Sequence, residues 1–185
     1  MSTWSIFGKL PAHGDFVARG MDMTRREACD AWLTTSFEDA QERFSDDWRE
    51  RFDCAPPWLY VHPLSDGFEA GALCPSVDRA GRRFPLLASV ETGGGENLAA
   101  LAVQAQEALY RAISSAETVD ELMASLAQLA VADAPNVTPP QAIDSGCWWA
   151  IDADGEVVAS LPLARPANLL SEMLALSQVG ADHAT

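Results

Sequence analysis

Three runs of strand-forming residues follow one another at hairpin spacing, and this constrains the fold more than any other feature of the chain. Trp58 to His62 and Phe68 to Cys74 are separated by a turn carrying Ser65-Asp66-Gly67, and Phe84 to Val90 follows the loop Pro75 to Arg83. Links this short permit only antiparallel pairing, because a parallel pair needs a crossover of roughly a dozen residues or more. The third run is mostly apolar, as expected of a strand covered on both faces.

The covering elements are legible as helices. Thr24-Arg25-Arg26-Glu27 reads as a capping box, followed at helical spacing by Cys29, Trp32, Leu33, Phe37, Ala40 and Phe44. Ser45 is expected to cap a short second helix that buries Trp48 and Phe52 and stops at Pro56-Pro57. Beyond Gly93-Gly94-Gly95 a long helix places Leu98, Leu101, Ala105, Leu109 and Ile113 on one side. A second box, Thr118-Val119-Asp120-Glu121, opens a helix with Leu122, Leu126 and Leu129 inward. Thr3 to Phe7 reads as a first strand, and Cys147 to Asp152 with Glu156 to Leu161 as a hairpin on Asp154-Gly155. A last helix spans about 168–176.

Amphipathic helices must bury their apolar faces against the sheet. The expected fold is therefore α/β, a three-layer α/β/α sandwich with a mixed, partly antiparallel sheet. It forms a single domain over residues 1–176, with a mobile connection at 132–145 and a flexible tail at 177–185.

Charge narrows the range of partners. The 185 residues carry 12 Lys and Arg against 27 Asp and Glu, a net charge of −15, which repels nucleic acid and anionic lipid. Residues 1–83 hold 10 of the basic residues and 14 acidic ones, whereas residues 84–185 hold 2 and 13, so any positive surface belongs to the first half. No apolar run approaches the roughly 20 residues of a membrane span, and the amino terminus lacks a signal-peptide layout. The chain reads as cytoplasmic, without direct membrane insertion. Cys29, Cys54, Cys74 and Cys147 are far apart with apolar neighbours, which suits buried reduced thiols, and no metal or other cofactor is expected.

Two loops concentrate charge and chain-bending residues: Gly8-Lys9-Leu10-Pro11-Ala12-His13-Gly14-Asp15-Phe16, and Pro75-Ser76-Val77-Asp78-Arg79-Ala80-Gly81-Arg82-Arg83. Ser76, His13 and either Asp15 or Asp78 supply the residue types of a nucleophilic triad, but Ser76 lacks the G-x-S-x-G elbow. The plainer reading is that these side chains cap backbone groups. The Gly93–Gly95 turn before a helix could cradle a phosphate, yet Glu96 stands where a Walker loop closes with Lys. A small hydrolase or phosphate-binding module is thus one functional reading. Asp152-Ala153-Asp154-Gly155-Glu156 lacks the further ligands of a calcium loop and is explained by the hairpin turn. In a strand, Trp148 and Trp149 face opposite sides and suit core packing. Arg79, Arg82 and Arg83 form the one concentrated basic patch, either a solvated face or a seat for an acidic or phosphorylated segment.

Both loops also resemble a known family. Gly8-Lys9-Leu10-Pro11-x-x-Gly14-Asp15-Phe16-Val17-x-Arg19-Gly20 resembles the amino-terminal signature of TagF, an accessory protein of bacterial type VI secretion. Pro75-Ser76-Val77-Asp78-Arg79-x-Gly81-Arg82-x-Phe84-Pro85-Leu86 resembles that family's second signature. Trp148-Trp149, Leu161-Pro162 and the helix around Met173-Leu174 fit as well, whereas His13 departs from the family's more usual Arg or other polar residue.

The resemblance implies a non-enzymatic regulator that represses type VI secretion after translation by protein–protein binding. Its partners would be components of the apparatus, foremost the forkhead-associated scaffold protein Fha. The residues carried over as a partner-binding surface are Gly8, Lys9, Pro11, His13, Gly14, Asp15, Phe16, Arg19, Ser76, Asp78, Arg79, Gly81 and Arg82. Mutual ion pairs that only pin the turns are the competing explanation for the charged members of that set.

Overall fold

The computed structural model describes residues 3–93, 97–129, 146–162 and 164–177. Seven strands form one sheet in the order β2-β1-β5-β4-β3-β6-β7. They are β1 (Thr3–Gly8), β2 (Val17–Arg19), β3 (Trp58–Leu64), β4 (Gly67–Cys74), β5 (Leu86–Thr92), β6 (Cys147–Ile151) and β7 (Val157–Leu161). The helices are α1 (Met23–Phe44), α2 (Trp48–Cys54), α3 (Leu98–Ser114), α4 (Val119–Ala127) and α5 (Leu169–Ala175).

Every ladder is antiparallel, so the expected mixed sheet is corrected. A parallel neighbour arises when one crossover helix returns the chain to the end where the previous strand began. Here two helices, α3 and α4, stand between β5 and β6, and β6 runs against β3.

Strand alternation divides the apolar residues between two cores. Ile6, Leu59, Val61, Ala72, Leu86 and Trp149 join residues of α3 and α4 in one cluster. Their chain neighbours Phe7, Tyr60, Leu73, Leu87 and Trp148 join residues of α1, α2 and α5 in the other. Successive strand side chains point to opposite faces, so the two clusters draw their strand residues from opposite faces of the sheet. Trp148 and Trp149 are both fully buried, one in each core, as the sequence suggested. Six buried alanines (Ala99, Ala100, Ala102, Ala105, Ala108 and Ala112) let α3 lie close against the strands. At Gly71 in β4, an added Cβ would overlap the Ala88 carbonyl and press on the Tyr60 ring.

Local sequence decides some element ends and tertiary context the others. Thr118 and Glu121 form the reciprocal capping box expected at the start of α4. At α1 the cap is Asp22, whose carboxylate accepts from the Arg25 amide at 2.8 Å, so the Thr24 box does not form. Ser45 ends α1 instead of starting α2, and Asp47 precedes α2 with its side chain on Arg51. The strand expected from Phe84 begins at Leu86, after Pro85, which has no N–H for a ladder. Cys54 is exposed, unlike the three buried cysteines, because it closes α2 at the surface before Pro56. The connection at 132–145 and, beyond Ser177, the tail lie outside the described residues.

Candidate functional site

The two loops meet at the end of β1, and Asp78 is the point on which they turn. Its chain forms a short hairpin, with Asp78 N–H donating to the Arg82 carbonyl at 3.0 Å and Phe84 N–H to the Ser76 carbonyl at 3.1 Å. One carboxylate oxygen accepts from the Ala80 and Arg82 amides at 2.9 and 3.0 Å. The other accepts from Arg82 Nε at 2.7 Å and lies 3.3 Å from Lys9 Nζ. Removal from water would raise this carboxyl, but the Arg82 amide and guanidinium, Lys9 and the Ala80 amide outweigh it and hold Asp78 at about 2.

The first loop is fastened to this hairpin at several points. Gly8 leaves β1 at φ +134°, and a Cβ there would overlap the Pro85 carbonyl, so a side chain is excluded twice over. Lys9, buried beside Asp78, also lies 5.1 Å from the centre of the Phe16 ring. Arg79 N–H donates to the His13 carbonyl at 2.8 Å, and the Arg82 guanidinium donates to the Gly14 carbonyl. Asp15, fully exposed, lies 3.8 Å from the same guanidinium.

His13 faces the other way. Its Nε2 accepts from the Val119 amide at 2.9 Å, one of the free N–H groups at the start of α4. The ring is therefore in the tautomer with its proton on Nδ1. Arg19, at the end of β2, adds an exposed pair with Asp120 of α4 at 3.4 Å.

The candidate residues fall into three groups by burial. Gly8, Lys9, Ser76 and Asp78 are buried, and the latter three hold polar groups that build the junction. Pro11, His13 and Gly14 are half-buried, while Asp15, Phe16, Arg19, Arg79, Gly81 and Arg82 form the exposed rim. Phe16 is 42% exposed although it packs on Phe7 and Phe84 at 6.0 and 4.8 Å between ring centres. The triad residues do not assemble as a relay: His13 Nε2 is taken by α4, Asp78 by its own loop and Lys9, and Ser76 Oγ contacts the Val77 carbonyl at 3.5 Å. Gly94, Gly95 and Glu96 lie outside the described residues.

A second polar cluster escaped the sequence reading. On the α1 face of the sheet, Glu69 accepts from Tyr60 Oη at 2.8 Å and from Arg25 at 2.7 Å, and pairs with His62 Nε2 at 3.0 Å. Arg25 also reaches Glu91 and, at 3.0 Å, Ser89 Oγ. Burial alone would raise Glu69, but His62, Arg25 and Tyr60 together bring it down to about 2. Burial and the Glu69 charge push Tyr60 well up. The available signal was polar residues at two-residue spacing, Tyr60 and His62, with His62 opposite Glu69 across the hairpin.

Comparison with known proteins decides the family. The model described as "TagF N-terminal domain, Type VI secretion system-associated" matches residues 5–132, which include both loops and the polar cluster. The chain belongs to the TagF N-terminal domain family. It is therefore a type VI secretion-associated protein, and the two loops that close on Asp78 lie within the matched segment of its TagF domain. Among solved structures, the TagF domain described here is similar to PA0076 from Pseudomonas aeruginosa PAO1, with a TM-score of 0.71 and 24% identity. The match covers 93% of this chain and 94% of that one. That likeness extends the shared fold beyond the segment matched by the family. No curated protein matches the chain. Among the described residues, no helix is long and apolar enough to cross a membrane.

Proposed function

We propose that this TagF-family protein is a non-enzymatic, post-translational repressor of type VI secretion. It acts in the cytoplasm as a three-layer α/β/α scaffold that presents the two signature loops to a component of the apparatus. The forkhead-associated scaffold Fha is the partner implied by the family resemblance. One observation carries the reading: the buried Lys9–Asp78 pair, capped by the exposed Arg82, fixes both loops and leaves Asp15, Phe16 and Arg79 exposed. Loops held rigidly on a scaffold present side chains at low entropic cost, and exposed aromatic and Arg side chains are the residue types of interface anchors.

Deletion of the gene in cells expressing the secretion cluster is expected to raise secretion of the tube protein with transcript levels unchanged. Unchanged secretion removes the proposed role. Complementation with Arg79→Glu and Asp15→Arg, both at exposed positions, is expected to leave secretion high although the variant folds. Full repression by that variant removes the loops as the docking surface. Failure of Fha to co-purify with the wild-type chain removes Fha alone.

A further inference from the structure

The two helical groups separate at one end of the sheet, where β4 and β6 end and β3 and β7 begin. A trough runs across these four strand ends. Its middle holds about 670 Å³ between the end of α2, Pro57 and Pro75 on one side and Gln106, Tyr110 and Ile113 of α3 on the other. Toward the second signature loop it joins a depression of about 140 Å³ at Pro75, Ser76 and Val77 through shared Asp53, Pro75 and Ile113. Toward β7 it joins one of about 380 Å³ at Val158 and Leu176 through shared Cys54, Pro56, Ile151 and Asp152.

Length and lining define what fits. Four strand ends are separated by three gaps of roughly 4.8 Å, so the floor is about 14 Å long, the span of four or five extended residues. A compact small molecule would fill the middle and leave both ends empty. The walls are apolar, and Tyr110 and Val158 stand 47% and 48% exposed. Gln106 lines the middle, but its side-chain oxygen is buried beneath the surface, so the wall offers apolar contact there and no acceptor.

Charge sets the direction. The charged residues lining the trough are Asp53 and Asp152, with no Lys or Arg. Asp53 is neutralised by Arg83, with both carboxylate oxygens engaged at 2.7 and 2.6 Å. Asp152 has no Lys or Arg partner among the described residues: its Oδ1 accepts only from the Asp154 and Glu156 amides of the β6–β7 turn, in a stretch with no basic residue between Arg111 and Arg165. One end of the trough is thus compensated and the other is acidic.

We propose that this trough docks an extended, apolar segment of a partner protein whose Lys or Arg side chains meet the β6–β7 turn. The trough reaches Pro75, Ser76 and Val77 of the second signature loop but none of the exposed rim residues, and its test does not depend on the secretion role. Cys54 on the trough wall is the exposed one of four cysteines and reports occupancy by its alkylation rate.

A phage-displayed library of random peptides of about ten residues is panned on the full chain, with Tyr110→Asp and Val158→Asp as counter-targets. Both substitutions are at exposed positions, and circular dichroism checks the fold. Selected peptides are expected to combine apolar residues with Lys or Arg. They should bind the wild type about tenfold or more tighter than either variant and slow Cys54 alkylation by a similar factor. The proposal is overturned by enrichment of acidic peptides, by binding that leaves Cys54 reactive, or by no peptide that discriminates the variants. Slow Cys54 alkylation in the free chain would mean that the chain fills its own trough. A dimer that Tyr110→Asp dissociates would make a second copy the occupant. Either outcome also overturns it.

Discussion

Replacing Glu69 by Gln removes a charge and almost no volume, and the geometry fixes the size of the effect. The carboxyl sits at about 2 in the folded chain against an ordinary value of 4.5. At about 1.4 kcal/mol per pKa unit, this difference contributes about 3 kcal/mol to folding at neutral pH. The side chain is only 7% exposed, so solvent screening takes little away. Because the folded state binds this proton more weakly than the unfolded state, the contribution is complete above about pH 4.5 and is lost as pH falls through about 2. Removing one partner of a buried pair costs roughly 3–5 kcal/mol, and Arg25 retains Glu91, which places Glu69→Gln at the lower end. Urea unfolding followed by tryptophan fluorescence should show the midpoint at pH 7 lowered by about 1.5 M, for a slope of about 2 kcal/mol per M. The gap between wild type and variant should narrow to about half by pH 3. A gap below about 1 kcal/mol at pH 7, or one unchanged at pH 3, would refute the reasoning.

Three other substitutions test the junction and the scaffold. Gly8→Ala meets both a positive φ and the Pro85 carbonyl, and is expected to lower stability by about 2 kcal/mol or more in chemical denaturation. Asp78→Asn frees Lys9 and Arg82 together, and hydrogen exchange should show the Arg79 and Arg82 amides losing protection while β4 and β5 keep theirs. Thr118→Ala removes the α4 cap at a cost of about 1 kcal/mol, read as a lower thermal midpoint.

How much was legible depended on how far apart in sequence the deciding partners lie. The α4 box spans four residues and forms as expected, whereas at α1 Asp22, two residues earlier and with the same spacing to its amide, takes the cap from the Thr24 pattern. β2 was missed because three residues carry too little periodicity, and its existence depends on pairing with Ile6 to Gly8. In the loops the residue types announced a special surface, but Lys9 and Asp78 are 69 positions apart, and nothing local says that the pair is buried. The Glu69 cluster divides the same way. His62 and Glu69 face each other across one hairpin and could have been found, while Arg25 arrives from a helix 44 residues away.

The bond from Val119 to His13 has a mechanical consequence. An imidazole nitrogen closes one of the four open amides at the head of α4, and the carbonyl of the same histidine holds the Arg79 amide. Helix head, first loop and second loop thus share a single rivet. Fraying that begins at any one of them spreads to the other two, and a partner that gripped the loops would quieten the helix without touching it.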